Sequence, residues 1–255
     1  MSKKSQKDIK NIKDRLVDFN TRLLEFWKPI KDNFISRGRL TMDEMIRLKQ
    51  NVSDVNNIIT LLVTYLFVKQ LNDKYHFVKT LNIDDIDNKP NTNGYDFVYK
   101  TDNSIIIAEV KCNLPCGGNN TFGPEQKNGI IKDLNGLVNY KGVRNKEQQS
   151  IIGKKGEYFN DAFKFMVLLD GNQCAMRQLL DEIEKYDPLN PPKRIKKELK
   201  ELADNLNDKS KNTNDIRIVE YAKDTDKLLS VNKIYVVYIK PDDNLISELL
   251  DNKNN

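Results

Sequence analysis

The stretch Gly94-Tyr95-Asp96-Phe97-Val98-Tyr99-Lys100-Thr101-Asp102-Asn103-Ser104-Ile105-Ile106-Ile107-Ala108-Glu109-Val110-Lys111 decides the reading of this chain. Two runs rich in aromatic and β-branched residues, Tyr95 to Lys100 and Ser104 to Cys112, flank the polar Thr101, Asp102 and Asn103, which predicts a β-hairpin. Side chains alternate faces along a strand, so Glu109 and Lys111 project from the same face. The turn folds the Asp96 strand back beside them and lets the Asp96 carboxylate approach that of Glu109. Ile105, Ile106 and Ile107 point to a strand buried on both faces, where a charge is costly unless it binds something.

Two carboxylates suit a hard divalent cation such as Mg²⁺, which takes oxygen ligands and keeps water and phosphate oxygens in its shell. An ammonium beside them completes a set able to hydrolyse a phosphodiester: an activated water, an offset for charge on the phosphorane, and a group to orient the nucleophile. All three residues fall within the segment 96–111. Glu-x-Lys alone also occurs as a solvated ion pair on a surface hairpin. The apolar run before Glu109 and the confinement of charge to the strand end favour the site.

Outward from the hairpin, Ile12, Leu16, Phe19, Leu23, Phe26 and Ile30 form one helical stripe that Pro29 should end or bend. Thr41 and Glu44 have the spacing of a capping box. The apolar positions from Val55 to Leu71 then predict one bent helix or two over 41–73, with Ser53 as a second cap. A polar connection from Asn82 to Gly94 precedes the hairpin. Beyond it come a glycine-rich loop at Gly117 and Gly118, a helix from Pro124 to Tyr140, and a buried strand from Phe163 to Leu169. Helices at Cys174 to Lys185 and around Leu199 and Leu202, then strands at Ile216 to Tyr221 and Lys233 to Lys240, close the chain.

The order of these elements, together with Asp96 and Glu109-Val110-Lys111, resembles the PD-(D/E)XK nuclease superfamily, which includes many type II restriction endonucleases. Tyr95 stands where the family's naming motif has proline. The resemblance covers roughly residues 54–170 and implies an αβββαβ core, with a third hairpin strand at Tyr75 to Leu81. It implies that Asp96 and Glu109 ligate Mg²⁺, that Lys111 positions the attacking water, and that Gln126, in the helix after the hairpin, lies near the site. Some members take a further acid from a preceding helix, for which Glu44 is the nearest candidate, although its capping spacing explains it better.

The expected fold is therefore α/β: a mixed central sheet flanked by helices in one domain over 1–255, with a helical N-terminal region over 1–53, a catalytic core over 54–170, and a helical insertion with closing strands over 171–255. The expected activity is Mg²⁺-dependent cleavage of double-stranded DNA at a short specific site by a homodimer, whose two-fold symmetry would match a palindrome. The alternatives are a structure-specific repair, resolvase or defence nuclease, and a non-catalytic nucleic-acid-binding module.

Bulk properties bound these readings. A net charge of +5 permits an anionic partner without requiring one. Lys127, Lys132, Lys141, Arg144, Lys146, Lys154 and Lys155 form one basic group, and Lys193, Arg194, Lys196, Lys197 and Lys200 another; either could contact phosphates. The apolar run from Ile58 to Val68 is too short to span a bilayer, and the N-terminus has charge with no apolar stretch behind it, so no membrane and a cytoplasmic location are expected. Three cysteines and one histidine make neither a disulfide framework nor a four-ligand zinc site.

Overall fold

In the computed structural model, the described residues are 12–38, 40–75, 94–101, 103–115, 120–187, 189, 196–207, 217–220, 229–242 and 244. They divide into two compact units. One holds helix α1 (Ile12–Arg37) and helix α2 (Met42–Tyr75) up to Tyr65; the other holds α2 from Leu66 together with the described residues from Gly94 to Pro241.

In the first unit, α1 runs on through Pro29, so the proline does not end it. A proline removes one backbone hydrogen bond, and the remaining turns of a 26-residue helix outlast that loss. Leu16 and Phe26 of the apolar stripe are buried. The capping box forms as expected: Thr41 N–H donates to Glu44 Oε2 at 2.7 Å, and Glu44 N–H donates to Thr41 Oγ1 at 3.3 Å. From there α2 continues as one helix across position 53. By length and composition, Met42–Asp73 could cross a membrane. Within the second unit, however, Phe67, Val68 and Leu71 of α2 are buried against protein.

The second unit is built on a five-stranded mixed sheet in the order β1-β2-β3-β5-β4, so the chain is α/β. Strand β1 (Phe97–Lys100) pairs antiparallel with β2 (Ile105–Lys111), and β2 pairs parallel with β3 (Ala162–Leu169). Strand β5 (Lys233–Ile239) lies parallel to β3, and β4 (Arg217–Glu220) is parallel to β5 at the edge. Six of the seven β2 residues are buried, as the isoleucine run requires of a strand covered on both faces. The expected strand at Tyr75 to Leu81 falls outside the described residues except for Tyr75, which closes α2.

Alternation sorts the core into two layers. Ile105, Ile107, Met166, Leu168, Ile234 and Val236 pack with Ile130, Leu134 and Leu137 of helix α3 (Pro124–Val138) on one face. Helix α4 (Lys146–Ile152), α5 (Gln173–Glu184) and α6 (Lys196–Asn207) contribute Ile152, Met176, Leu179, Leu199 and Leu202 to the same layer. On the other face, the Phe67 ring meets those of Phe97 and Phe165 edge to face, at 6.5 and 5.1 Å between centroids. The short helix α4 went unread in the sequence because its two apolar residues, Ile151 and Ile152, are adjacent and set no period. Its start is nonetheless capped by Asn145, whose side chain accepts from Glu147 N–H at 2.9 Å.

Candidate active site

Register brings the predicted residues together. Phe97 lies opposite Ala108, so the next position back sets Asp96 beside Glu109, on the face that carries α3. Asp96 Oδ2 accepts a 2.8 Å hydrogen bond from Val110 N–H, which ties the carboxylate to the backbone between Glu109 and Lys111. Glu109 is 3% exposed, whereas the Lys111 side chain retains 29%. The strand thus carries its charges from the buried core out to a cleft.

Asp96 is held by the segment before β1. The Tyr95 ring is buried, stacks on Phe159 at 6.1 Å, and donates its hydroxyl to the carbonyl of Gly136 at 2.8 Å. The carboxamide of Gln148 accepts from Tyr95 N–H at 3.0 Å and donates to Tyr95 C=O at 2.7 Å. A β-carbon on Gly94 would collide with that same carboxamide. Glycine therefore precedes Tyr95 because Gln148 needs the space.

Two further residues complete the cluster. Asp133 of α3 lies 2.6 Å from the Lys111 ammonium, Nζ to Oδ2, off the direction of a well-formed hydrogen bond. Lys141, in the segment after α3, makes a close ion pair with Glu109, and its ammonium sits 4.5 Å from the centre of the Tyr95 ring. Lys141 appeared in the sequence only as one of several basic residues, and Asp133 did not stand out. It does fall on the stripe Ile130, Asp133, Leu137, at helical spacing, as a lone acid among apolar residues; that was the available signal.

The charges perturb one another strongly. Burial raises the Glu109 pKa well above the usual carboxylate range, Asp133 and Asp96 raise it further, and Lys141 partly opposes them. Burial also raises that of Asp133, against the pull of Lys111. For Lys111, burial alone would lower the pKa, but Asp133, Asp96 and Glu109 outweigh it and the ammonium is held more firmly charged. The cluster sets three acids, Asp96, Glu109 and Asp133, against two ammoniums, Lys111 and Lys141. Such opposed perturbations in one cluster are characteristic of functional sites.

Lys111, Asp133 and Lys141 line a cleft of about 870 Å³, with Arg144 beside them and Glu198 and Asn205 of α6 on its wall. Among the described residues, no three or more His, Cys, Asp or Glu side chains are grouped as a ready-made metal cage. Asp133 lines the cleft, whereas Asp96 and Glu109 lie behind its lining; in their chemistry the carboxylate oxygens of Asp96 and Glu109 fit a hard ion such as Mg²⁺.

Gln126, which the resemblance implies lies near the site, has its side chain engaged locally. Its Oε1 accepts from Gly123 N–H at 2.9 Å and its Nε2 donates to the Leu114 carbonyl at 2.7 Å, closing the start of α3 onto the segment after β2. Like Asp96 and Glu109, it is not part of the cleft lining. Glu44 is engaged in its capping box, in the other unit. His76, Cys116 and the acidic residues Asp84, Asp85 and Asp87 lie outside the described residues. Cys112 and Cys174 form no disulfide. Comparison of the chain with protein-family models, with curated proteins and with solved structures gives no match.

Proposed function

We propose that this chain is a Mg²⁺-dependent endonuclease acting on double-stranded DNA, of the PD-(D/E)XK kind. The observation that carries the reading is the 2.8 Å bond from Val110 N–H to Asp96 Oδ2, which gathers two acids and the Lys111 ammonium at one sheet end. The order α2, β1, β2, α3, α4, β3, with β1 and β2 antiparallel and β3 parallel to β2, supports the reading: apart from the added short helix α4, it runs in the sequence of an αβββαβ core with two of its first three strands among the described residues.

In this reading Asp96 and Glu109 hold the ion, which supplies a water of lowered pKa and offsets charge on the phosphorane. Lys111 lines the cleft and orients the attacking water. Asp133 keeps that ammonium charged and in place. Tyr95, fixed by Gln148 and Gly136, holds Asp96 in register. The basic residues of the cleft, Lys132 and Arg144, receive backbone phosphates. Site-specific cleavage by a homodimer, as in type II restriction, is the form of the activity we favour.

The test is incubation of supercoiled plasmid with Mg²⁺ and wild-type protein, Asp96→Ala or Lys111→Ala. Discrete fragments from the wild type, absent with both variants and after chelation, are expected. Equal cutting by wild type and Asp96→Ala removes the reading. A smear, or cutting only of branched substrates, replaces site specificity with structure specificity.

A further inference from the structure

Lys141 holds a seat built for it. Its ammonium pairs with Glu109 above the Tyr95 ring, and a β-carbon on Gly136 would come within 3.0 Å of its Cδ, so glycine leaves room for the stem. The turn that carries it is pinned. The Tyr140 hydroxyl accepts from Val143 N–H at 3.1 Å and reaches the Lys154 carbonyl at 3.3 Å, and Gln149 Nε2 donates to the Val143 carbonyl at 2.6 Å.

This placement conflicts with the proposed use of Glu109. Its carboxylate is only 4% exposed and lies behind an ammonium that is itself 30% exposed at the cleft. An ion entering from the cleft meets Lys141 first, and a divalent ion and an ammonium repel each other strongly when both lie against one buried carboxylate. Lys141 belongs to the cleft lining, beside Arg144 and Lys132, so its long stem allows the ammonium to turn outward without movement of the pinned backbone.

We propose that Lys141 is a tethered cation that occupies Glu109 until a divalent ion displaces it, whereupon its ammonium turns into the cleft and takes a DNA phosphate. The inference rests on the nuclease reading and deepens it: it makes ion binding the step that arms a substrate contact. The metal-free protein then keeps its buried acid neutralised, and a DNA-binding charge appears only with the ion.

The experiment is amine labelling of the wild-type protein with a lysine-selective acylating ester, with and without Mg²⁺, mapped by mass spectrometry and accompanied by calorimetric Mg²⁺ titration. Lys127, which pairs with Glu182, is the internal reference. Severalfold faster labelling of Lys141 in Mg²⁺, unchanged at Lys127 and absent in Asp96→Ala, is the expected result. Calorimetric binding of Mg²⁺ with no change at Lys141 overturns the displacement and leaves the nuclease reading standing; absence of Mg²⁺ binding overturns both. In Ca²⁺, Lys141→Met should weaken duplex DNA binding severalfold and lower the salt slope by about one. An unchanged slope overturns the phosphate contact.

Discussion

Gln148 grips both polar groups of one residue 53 positions away: its Oε1 takes the Tyr95 N–H at 3.0 Å and its Nε2 gives a 2.7 Å bond to the Tyr95 carbonyl. Both contacts are buried, and the residue they fix is the neighbour of Asp96. Gln148→Leu fills the volume but orphans a buried amide and a buried carbonyl, each costing about 1–3 kcal/mol. The variant should lose stability in chemical denaturation, and plasmid cleavage per folded molecule should fall by at least about tenfold as Asp96 drifts from Glu109. Full activity in a folded Gln148→Leu protein would show that Asp96 needs no such clamp. Gly94→Ala, which drives a methyl into the same carboxamide, should behave alike.

Asp133 and Lys111 make the second testable pair. Asp133→Asn keeps the shape and removes the charge 2.6 Å from the ammonium. It also relieves the repulsion that Asp133 exerts on Glu109. If Asp133 serves to position Lys111, kcat should fall about tenfold with little change in KM for DNA, less than the loss of about a hundredfold or more expected for Lys111→Ala. Equal losses in the two variants would instead make Asp133 a direct participant.

The hairpin, the buried strand and the trio Asp96, Glu109 and Lys111 were legible because strand alternation and a short turn are local rules. They fix who faces whom without knowledge of the rest of the chain. Lys141 and Asp133 were not legible as partners because their roles depend on where α3 crosses the sheet. Nothing in the spacing from Glu109 to Lys141 encodes that distance. Pro29 does not end its helix for a different reason: a local rule correctly names a lost hydrogen bond, but the outcome depends on the length of helix around it. Thr41 and Glu44 succeeded because both partners of a capping box lie within one turn.

Gln126 separates inheritance from a family likeness from what the local geometry can explain. Its side chain is committed at both ends, to Gly123 N–H and to the Leu114 carbonyl. Gly123 has no side chain with which to return a bond, so this is half of a capping box. Gln126→Ala should cost about 1 kcal/mol of stability, as the loss of a cap does, and leave kcat within about threefold of wild type. A hundredfold loss of kcat at unchanged thermal stability would restore it to the catalytic set.

Lys164 is the group whose pH dependence can be stated in advance. It lies in β3 at 1% exposure, beside Ile107 and Ile234, with its ammonium 4.3 Å from the centre of the Phe159 ring. Burial lowers its pKa to about 8, with Asp161 opposing, while the unfolded chain keeps a value of about 10.4. Between these values the unfolded state binds more protons, so this group makes the protein more stable as pH rises from about 8 toward 10.4. Below about 8 the folded state carries a desolvated charge that the ring only partly offsets. Lys164→Met, which matches the stem in volume, should therefore be more stable than wild type by about 1–2 kcal/mol at pH 7. The gap should close as pH approaches 10, because the wild-type amine is by then neutral in the fold. Urea melts of both proteins at pH 7, 8, 9 and 10 measure that gap. A gap that stays constant would mean that Lys164 titrates as an ordinary amine and that Phe159 and Asp161 fully compensate its burial.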